Sequence, residues 1–294
     1  MQIANHWKDF ELLDTGLGMK RERWGKYILE RPDPQAIWPH DPWARPDARY
    51  IRSDRGGGNW DILGRLPQQW TVSYDSVAGR LTFVINPTGF KHTGLFPEQA
   101  VNWDLMEQKI LNARAAGQTE LRMLNLFAYT GAATCALAKA GASEVVHVDA
   151  SKGMVAKAKD NIHLSGCDQA YVRFIVDDVQ KFVRREIRRG RQYEGIILDP
   201  PAYGRGPSGE LWQLEDALYP LLDECRQLLS PSALFFIVNV YASNLAPGVI
   251  KTLLQLTLGQ EARQGVIDCQ ELGLPSNQRG IVLPCGVSGR WLAS

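Results

Sequence analysis

Residues 194–205 combine an acid, two prolines and an aromatic residue behind an apolar run. The sequence there reads EGIILDPPAYGR, so Asp199 is followed by Pro200 and Pro201 and then by Tyr203. Two consecutive prolines stop the hydrogen-bond ladder of a strand and stiffen the chain after it. We predict that this segment is catalytic and that Asp199, at a strand tip, and Tyr203 present a carboxylate and a ring to a planar base. An ordinary strand-stopping turn is the alternative.

A tight turn is the second candidate feature, in the sequence LNLFAYTGAAT at residues 124–134. Thr130 and Gly131 stand between a strand-like run and a helix-like run, which exposes backbone N–H groups at a helix N-terminus. Such groups can bind the polar tail of a cofactor, and the alternative is that Gly131 only begins a helix. The candidate cofactor-binding residues of this turn are Asn125, Phe127, Ala128, Tyr129, Thr130 and Gly131.

Acids after the next two strand-like runs extend this candidate cofactor site. Asp149, followed by Ala150 and Ser151, comes after Gly131 at roughly the spacing at which a carboxylate reaches a ribose diol. Ser151 also stands where it can cap the next helix. Asp178 can accept a hydrogen bond from an adenine amino group, or it can cap the helix that follows. The dinucleotide fingerprint GxGxxG is absent, which disfavours a nicotinamide cofactor.

From about residue 98 the sequence alternates between helix-like and strand-like segments. Apolar runs of strand length lie at residues 121–127, 144–149, 170–176, 194–199 and 233–241. Helices are predicted at residues 131–141, 151–164, 178–190, 209–229 and 244–258. The last two runs, QGVIDCQEL and GIVLPCGVSGRWL, indicate an antiparallel hairpin. We predict an α/β fold with a mainly parallel, Rossmann-like sheet, helices on both faces and a C-terminal hairpin.

The front third of the chain has a different character. Seven of the nine tryptophans precede residue 104, and short β-branched or aromatic runs are separated there by Pro, Gly and Asp. Such runs are typical of small antiparallel strands. We predict a small β-rich domain over residues 1–88 and an α/β domain over residues 89–294.

Composition excludes several classes of protein. No stretch approaches the roughly 18 apolar residues of a membrane span, and the N-terminus lacks the apolar core of an export signal. The five cysteines lie far apart without metal-ligand spacing, so neither a metal site nor a disulfide framework is expected. We expect a cytoplasmic protein that does not bind a membrane. The sequence leaves its oligomeric state open.

Four motifs together resemble the bacterial 23S rRNA methyltransferases that modify carbon 5 of cytosine or nitrogen 7 of guanine. In this order and spacing, they are LNLFAYTGAAT, VVHVDAS, VDDVQKF and DPPAY. The resemblance covers roughly residues 89–242. It implies a class I methyltransferase sheet, S-adenosylmethionine as the cofactor, RNA as the partner, and a base pocket formed by DPPAY. In that family the segment similar to GFKHTGLFPEQAVNW lies over the cofactor, which adds Phe96 and Gln99 as cofactor contacts.

Two departures from the family bear on the target atom. Its cytosine-specific members carry a cysteine just after the fifth strand, where this chain has IVNVYAS. In another group of cytosine enzymes the nucleophile or its helper follows the prolines of the fourth strand, where this chain has Ala202. Carbon 5 of cytosine is a poor nucleophile until a thiolate adds to the ring. A ring nitrogen has a free lone pair, and an exocyclic amine needs only a nearby acceptor such as Asp199. A base nitrogen is therefore favoured over carbon 5, in RNA that is single-stranded or flipped out of a duplex.

Other functions remain open on the sequence. The same cofactor site can serve a small molecule or a protein side chain. A nicotinamide-dependent oxidoreductase and a non-catalytic RNA-binding module with the same fold are further alternatives. Residues 181–191, KFVRREIRRGR, form the most basic short segment, which can contact phosphates or simply be a solvated helix face.

Overall fold

The computed structural model describes residues 1–53, 57–87, 91–205, 211–241, 245–259 and 264–294. Its front part consists of the strands β1 (Gln2–Ile3), β2 (Phe10–Gly16), β3 (Met19–Trp24), β4 (Tyr27–Pro32), β5 (Ala48–Arg52), β6 (Gly58–Ile62), β7 (Trp70–Ser76) and β8 (Gly79–Ile85). A 3-10 turn at Pro97–Gln99 leads into the rest of the chain.

The remaining helices are α1 (Ala100–Ala115), α2 (Ala132–Lys139), α3 (Lys152–Leu164), α4 (Val179–Arg188), α5 (Leu214–Arg226) and α6 (Pro247–Leu258). The remaining strands are β9 (Arg122–Leu126), β10 (Glu144–Asp149), β11 (Val172–Val176), β12 (Gly195–Leu198), β13 (Tyr203–Arg205), β14 (Leu211–Gln213), β15 (Phe235–Val240), β16 (Gly265–Ser276) and β17 (Ile281–Ala293).

One large sheet organises the molecule. Its strand order is β11-β10-β9-β12-β15-β17-β16-β2-β3-β4-β5-β6, with β1 beside β16. The five strands from β11 to β15 are parallel, and β17 runs antiparallel to both β15 and β16. The predicted Rossmann-like α/β sheet with its C-terminal hairpin is therefore confirmed. Strand order reverses between β9 and β12, and in open α/β sheets ligands bind beyond the strand ends at such a point.

The central strands are buried on both faces. Met123 of β9 belongs to a buried cluster with residues of α1 and α2, whereas its neighbours Leu124 and Leu126 belong to a second cluster with residues of α4, α5 and α6. Alternate side chains of a strand point to opposite faces, so both faces of β9 are covered. This explains why the central strands appear in the sequence as unbroken apolar runs.

The front strands are continuous with this sheet. β2 pairs in parallel with β16 at Leu12 and Ser276, and the Ser276 hydroxyl donates to the Leu13 carbonyl over 3.0 Å. Phe10 and Trp24 lie in the same buried cluster as Met123. The predicted β-rich character of residues 1–88 is seen in β1 to β8. The domain boundary stays a prediction, because residues 88–90 lie outside the described residues.

Several elements differ from the sequence prediction. The strand-like runs of the front part, at residues 26–32, 48–53, 69–75 and 80–87, correspond to β4, β5, β7 and β8. Strands β1, β2, β3 and β6 were not predicted, nor was the short hairpin of β13 and β14. The helix predicted over residues 209–229 begins only at Leu214, because residues 211–213 form β14, and residues 209–210 lie outside the described residues. Strand β3 was not predicted because its sequence, MKRERW, is mostly charged although half of its residues are buried.

The charges of β3 are accommodated by a buried ion pair with β4. Glu22 is fully buried and accepts two hydrogen bonds from Arg31, at 2.6 and 3.0 Å, and one from the Trp24 indole at 3.1 Å. Burial alone would raise the pKa of Glu22, but the nearby charges of Arg31 and Lys20 bring it below its ordinary value. Glu22 is thus ionised and paired inside the front part of the molecule.

Arg31→Leu is expected to destabilise the protein strongly, because it leaves the buried Glu22 carboxylate without its bidentate partner. We expect the free energy of unfolding, measured by urea denaturation, to fall by about 3 kcal/mol or more. The control is Arg80→Leu, which breaks a pair with Asp75 in which Arg80 is 68% exposed, and its effect should be much smaller because solvent screens the exposed pair. Similar small losses in both variants would contradict a structural role for the buried pair.

Candidate functional site

The turn that follows β9 has an unusual backbone. Phe127 and Tyr129 adopt positive φ angles of 53° and 51°, in the left-handed region that non-glycine residues seldom occupy. Gly131 has a φ of 79°, and a Cβ atom there would lie 2.8 Å from the Cβ of Ala158 on α3. Backbone of this kind persists only where the surroundings enforce it, and it is often found at ligand sites.

Two side chains from other elements, and one of the turn's own, hold this turn in place. The Asp149 carboxylate accepts from the Tyr129 N–H over 2.8 Å and, with its other oxygen, from the Ser151 N–H over 2.8 Å. Asn161 donates to the Thr130 carbonyl over 2.8 Å. The Thr130 hydroxyl donates in turn to the carbonyl of Gly94, over 2.6 Å. The turn is therefore fixed to β10, to α3 and to the segment before α1.

Helix α2 begins at the end of this turn and leaves its first N–H groups available. Gly131 is its N-cap, and no side chain of the described residues caps the helix. Ala132 and Ala133, in its first turn, line the adjoining cleft. The first N–H groups of a helix have no partner within the helix and carry a partial positive charge. This end of the cleft is suited to an anionic group such as a carboxylate.

The cleft itself lies at the tips of β9, β12 and β15. Nine residues singled out from the sequence line it, and these are Phe96, Gln99, Asn125, Phe127, Ala128, Tyr129, Thr130, Gly131 and Asp199. The structure thus brings together residues from three separate motifs. Their contacts with a ligand stay predictions.

Other candidate cofactor residues lie beside the cleft rather than in its lining. Asp149 reaches it only through the Tyr129 N–H, and Ala150 and Ser151 are exposed. Ser151 caps α3 through the Met154 N–H at 3.4 Å, and Asp178 caps α4 through the Lys181 N–H at 2.8 Å. The capping role that the sequence offered as the alternative for Asp178 is the one seen here.

The DPPAY segment likewise has some residues in the lining of the cleft and others outside it. Asp199 lines the cleft, Pro200 is buried behind it, and Pro201 is exposed. The Tyr203 side chain is 58% exposed on β13 and does not line the cleft. The aromatic surface next to the site is formed instead by Phe127 with Trp212, whose ring centroids lie 5.3 Å apart.

Sequence reasoning missed Trp212 and Asn239. Trp212 falls within the helix predicted over residues 209–229, but it lies on β14, and its indole donates to the Pro201 carbonyl over 2.6 Å. Asn239 had been noted only as standing where relatives have a cysteine, yet it is buried and lines the cleft. The position of Asn239 depends on pairing between segments far apart in the chain, whereas Trp212 pairs with the nearby strand β13 where the sequence predicted a helix.

Asp199 has the most strongly altered electrostatics of the residues that line the cleft. Burial, and secondarily the nearby negative charge of Glu98, raises its pKa to about 8. A carboxyl group with such a pKa exchanges its proton near neutral pH, as a general acid or base requires. Among the described residues, no cluster of side chains is suited to holding a metal ion.

Comparison with known proteins places the chain in a family. Residues 57–244 match the model of the S-adenosylmethionine-dependent methyltransferases, which covers more than half of the sequence, and the chain belongs to this family. A SAM-dependent methyltransferase from Agrobacterium tumefaciens is 37% identical, with a TM-score of 0.90 over 100% of this chain and 93% of that one. A second solved structure, complexed with SAH, has a TM-score of 0.74 at 20% identity over 98% of this chain and 76% of that one, which supports the fold.

Curated relatives include large-subunit ribosomal RNA methyltransferases. Enzyme K/L of Shewanella baltica is 34% identical over 51% of this chain, and enzyme K of Neisseria meningitidis is 26% identical over 77%. This chain spans 20% of the length of the former and 61% of the latter. The protein is thus an S-adenosylmethionine-dependent methyltransferase with the predicted class I fold, and the predicted cofactor is confirmed.

Asp149→Asn is expected to weaken cofactor binding, because the amide NH₂ group can no longer accept hydrogen bonds from both the Tyr129 and Ser151 N–H groups. Isothermal titration with SAH should show a dissociation constant raised about 10- to 100-fold, since charge-assisted bonds contribute roughly 1.5–3 kcal/mol each. Asp168→Asn removes an exposed carboxylate that pairs with His163 and should leave the affinity unchanged. An unaltered affinity in Asp149→Asn would contradict the role given to Asp149.

Asp199→Asn is expected to stabilise the protein at alkaline pH. The pKa of Asp199 is about 8 in the folded chain and about 3.9 in an unfolded one, so the folded state holds an extra proton between these values and loses stability as the pH rises. The asparagine avoids this loss. Urea denaturation should show a gain on the order of 5 kcal/mol at about pH 8 and little change at about pH 4. An equal gain at both pH values would contradict the raised pKa.

Proposed function

We propose that this enzyme transfers the methyl group of S-adenosylmethionine to a nitrogen of a base in ribosomal RNA, in the cytoplasm. The observation that carries the choice of nitrogen is the half-buried Asp199 carboxyl in a cleft whose described lining includes no cysteine. The names of the curated relatives support ribosomal RNA as the substrate. Within the described residues, no helix is long and apolar enough to cross a membrane.

The cofactor is assigned to the β9 side of the cleft. The turn of residues 125–131 and the first N–H groups of α2 would bind its carboxylate. Asp149, with Ala150 and Ser151 beside it, would face its ribose, and Asp178 its adenine. Phe96 and Gln99 would cover it from above. Gln99 is itself held by the Tyr241 hydroxyl, to which its amide donates over 2.6 Å.

The acceptor base is assigned to the other side of Asp199. S-adenosylmethionine supplies an electrophilic methyl group, so the protein has mainly to orient the acceptor nitrogen and exclude water. Ionised Asp199 would accept the proton that the nitrogen loses. Pro200 and Pro201 would hold that carboxylate, and Tyr203, Phe127 and Trp212 offer rings on which a flipped base can stack.

Cysteine chemistry at carbon 5 of cytosine receives no support. Cys285 is close enough to Tyr241, near the cleft, to act on it electrostatically. Its thiol donates a hydrogen bond to the Leu283 carbonyl at 3.4 Å. Burial and the negative charge of Glu98 raise the pKa of this thiol well above its ordinary value. A thiol held in its neutral form is a poor nucleophile.

The basic segment of residues 181–191 contributes little to the case for RNA. Most of its arginines have carboxylate partners: Arg184 pairs with Glu224, Arg185 with Asp177, and Arg191 with Glu144. A paired arginine is less available to a phosphate. The proposal of an RNA substrate therefore depends on the cleft and on the relatives rather than on this helix.

Labelled S-adenosylmethionine incubated with unmodified 23S rRNA transcript should place the label on an N-methylated nucleoside, identified by mass spectrometry. Asp199→Asn should lower turnover by about 100-fold or more, as expected for loss of a general base, with SAH affinity unchanged. Asp168→Asn is again the control. Label in a small molecule or a protein but never in RNA would favour the alternative substrate classes and contradict the proposal.

A further inference from the structure

One buried donor in the cleft has no partner. Asn239 lies on β15, is 1% exposed and lines the cleft. Its side-chain nitrogen, Nδ2, is buried and has no hydrogen-bond partner among the described residues. Buried polar groups in folded proteins are nearly always paired, and an orphan in a ligand site indicates a partner that arrives with the ligand.

The orientation of this amide is fixed by a neighbouring asparagine. Asn102 of α1 donates from Nδ2 to the Asn239 Oδ1 over 3.0 Å and to the Gln99 Oε1 over 2.7 Å. The Asn102 Oδ1 accepts from the Ser288 hydroxyl at 3.3 Å. Because the oxygen of Asn239 is already engaged with α1, its NH₂ group remains free to donate.

Asn239 stands next to Asp199 at the strand tips. Leu198 of β12 is in register with Val238 of the parallel strand β15, so the residues that follow each of them are neighbours. Adjacent strands lie roughly 4.8 Å apart. Asp199 and Asn239 both line the cleft, which puts a hydrogen-bond acceptor and a donor side by side.

The cofactor carboxylate is a poor match for this donor. Helix α2, with its free N–H groups, lies beyond β9, whereas β15 flanks β12 on the opposite side. No lysine or arginine is found among the described residues that line the cleft, so a cofactor carboxylate next to Asn239 would have no cation there to pair with. A neutral amide without a cation beside it is better suited to a neutral acceptor atom.

We propose that Asn239 recognises the acceptor base by donating a hydrogen bond to one of its unprotonated ring nitrogens. The exocyclic amine next to that nitrogen is the group that is methylated, and it donates a hydrogen bond to Asp199. This inference depends on the proposed function and narrows it to exocyclic amines. Three bases offer such an edge. The exocyclic amine and the neighbouring unprotonated ring nitrogen are N6 and N1 in adenine, N4 and N3 in cytosine, and N2 and N3 in guanine. Nitrogen 7 of guanine and carbon 5 of cytosine carry no N–H for Asp199.

The chemical step balances without a further reactant. The amine nitrogen attacks the sulfonium methyl, so a nitrogen–carbon bond forms while the sulfur–carbon bond breaks and its electron pair returns to sulfur as a thioether. The nitrogen loses one proton, which Asp199 accepts. Asn239 loses nothing and acts by orienting the base, so it is a specificity-determining residue.

The test compares Asn239→Ala and Asn239→Asp with Ser288→Ala, using labelled S-adenosylmethionine and unmodified 23S rRNA transcript. We expect kcat/KM for RNA to fall about 10- to 100-fold in both Asn239 variants, with the dissociation constant for SAH within about threefold of wild type. Asn239→Asp keeps the acceptor for Asn102 and serves if the alanine variant misfolds. Ser288→Ala disturbs the same polar network outside the cleft and should retain wild-type kcat/KM.

The outcomes separate this inference from the proposed function. A wild-type product methylated on an exocyclic amine, together with the Asn239 losses, supports the inference. A product methylated at guanine N7, or full activity in the Asn239 variants, overturns it while the proposed function stands. A product methylated at cytosine C5 overturns both the inference and the choice of a base nitrogen. An equal loss in Ser288→Ala would reduce Asn239 to a structural role. No label in RNA from a wild-type enzyme that binds SAH would overturn the proposed function itself.

Discussion

The hydrogen bond from the Tyr129 N–H to the Asp149 carboxylate is the interaction on which the site depends. It joins the tip of β10 to the turn after β9, in which Phe127 and Tyr129 have left-handed backbones. Such a turn is costly unless its surroundings hold it. Once it is held, the first N–H groups of α2 face the cleft at the same point. One carboxylate therefore links the strained backbone to the place where we propose that the cofactor binds.

The order of the sheet explains why two ligands can meet at this edge. The chain passes from β9 outward to β11 and then returns to β12 on the other side, which opens a crevice between β9 and β12. The turn after β9 borders one side of the crevice, and Asp199 at the tip of β12 borders the other. β15 adds Asn239 one strand further out. In the proposed assignment, the cofactor and the acceptor base approach from opposite sides of a single carboxyl group.

The sequence was sufficient to predict what depends on local patterns. Apolar runs of strand length, the glycine turn at Gly131 and the paired prolines after Asp199 each carry a local physical signal, and these elements formed as expected. Strand β3 carried a misleading signal, because Glu22 is charged yet buried by a partner on the next strand. Asn239 gave no signal, since its surroundings are created by segments far away in the chain, and Trp212 was obscured by the helix predicted over residues 209–229.

A crystal structure of the enzyme with SAH would test the central claim most directly. The account requires the SAH sulfur to lie between the turn of residues 127–131 and Asp199, with the carboxylate of SAH at the N-terminus of α2. Electron density for SAH at another place, or an empty cleft in crystals grown at saturating SAH, would contradict it.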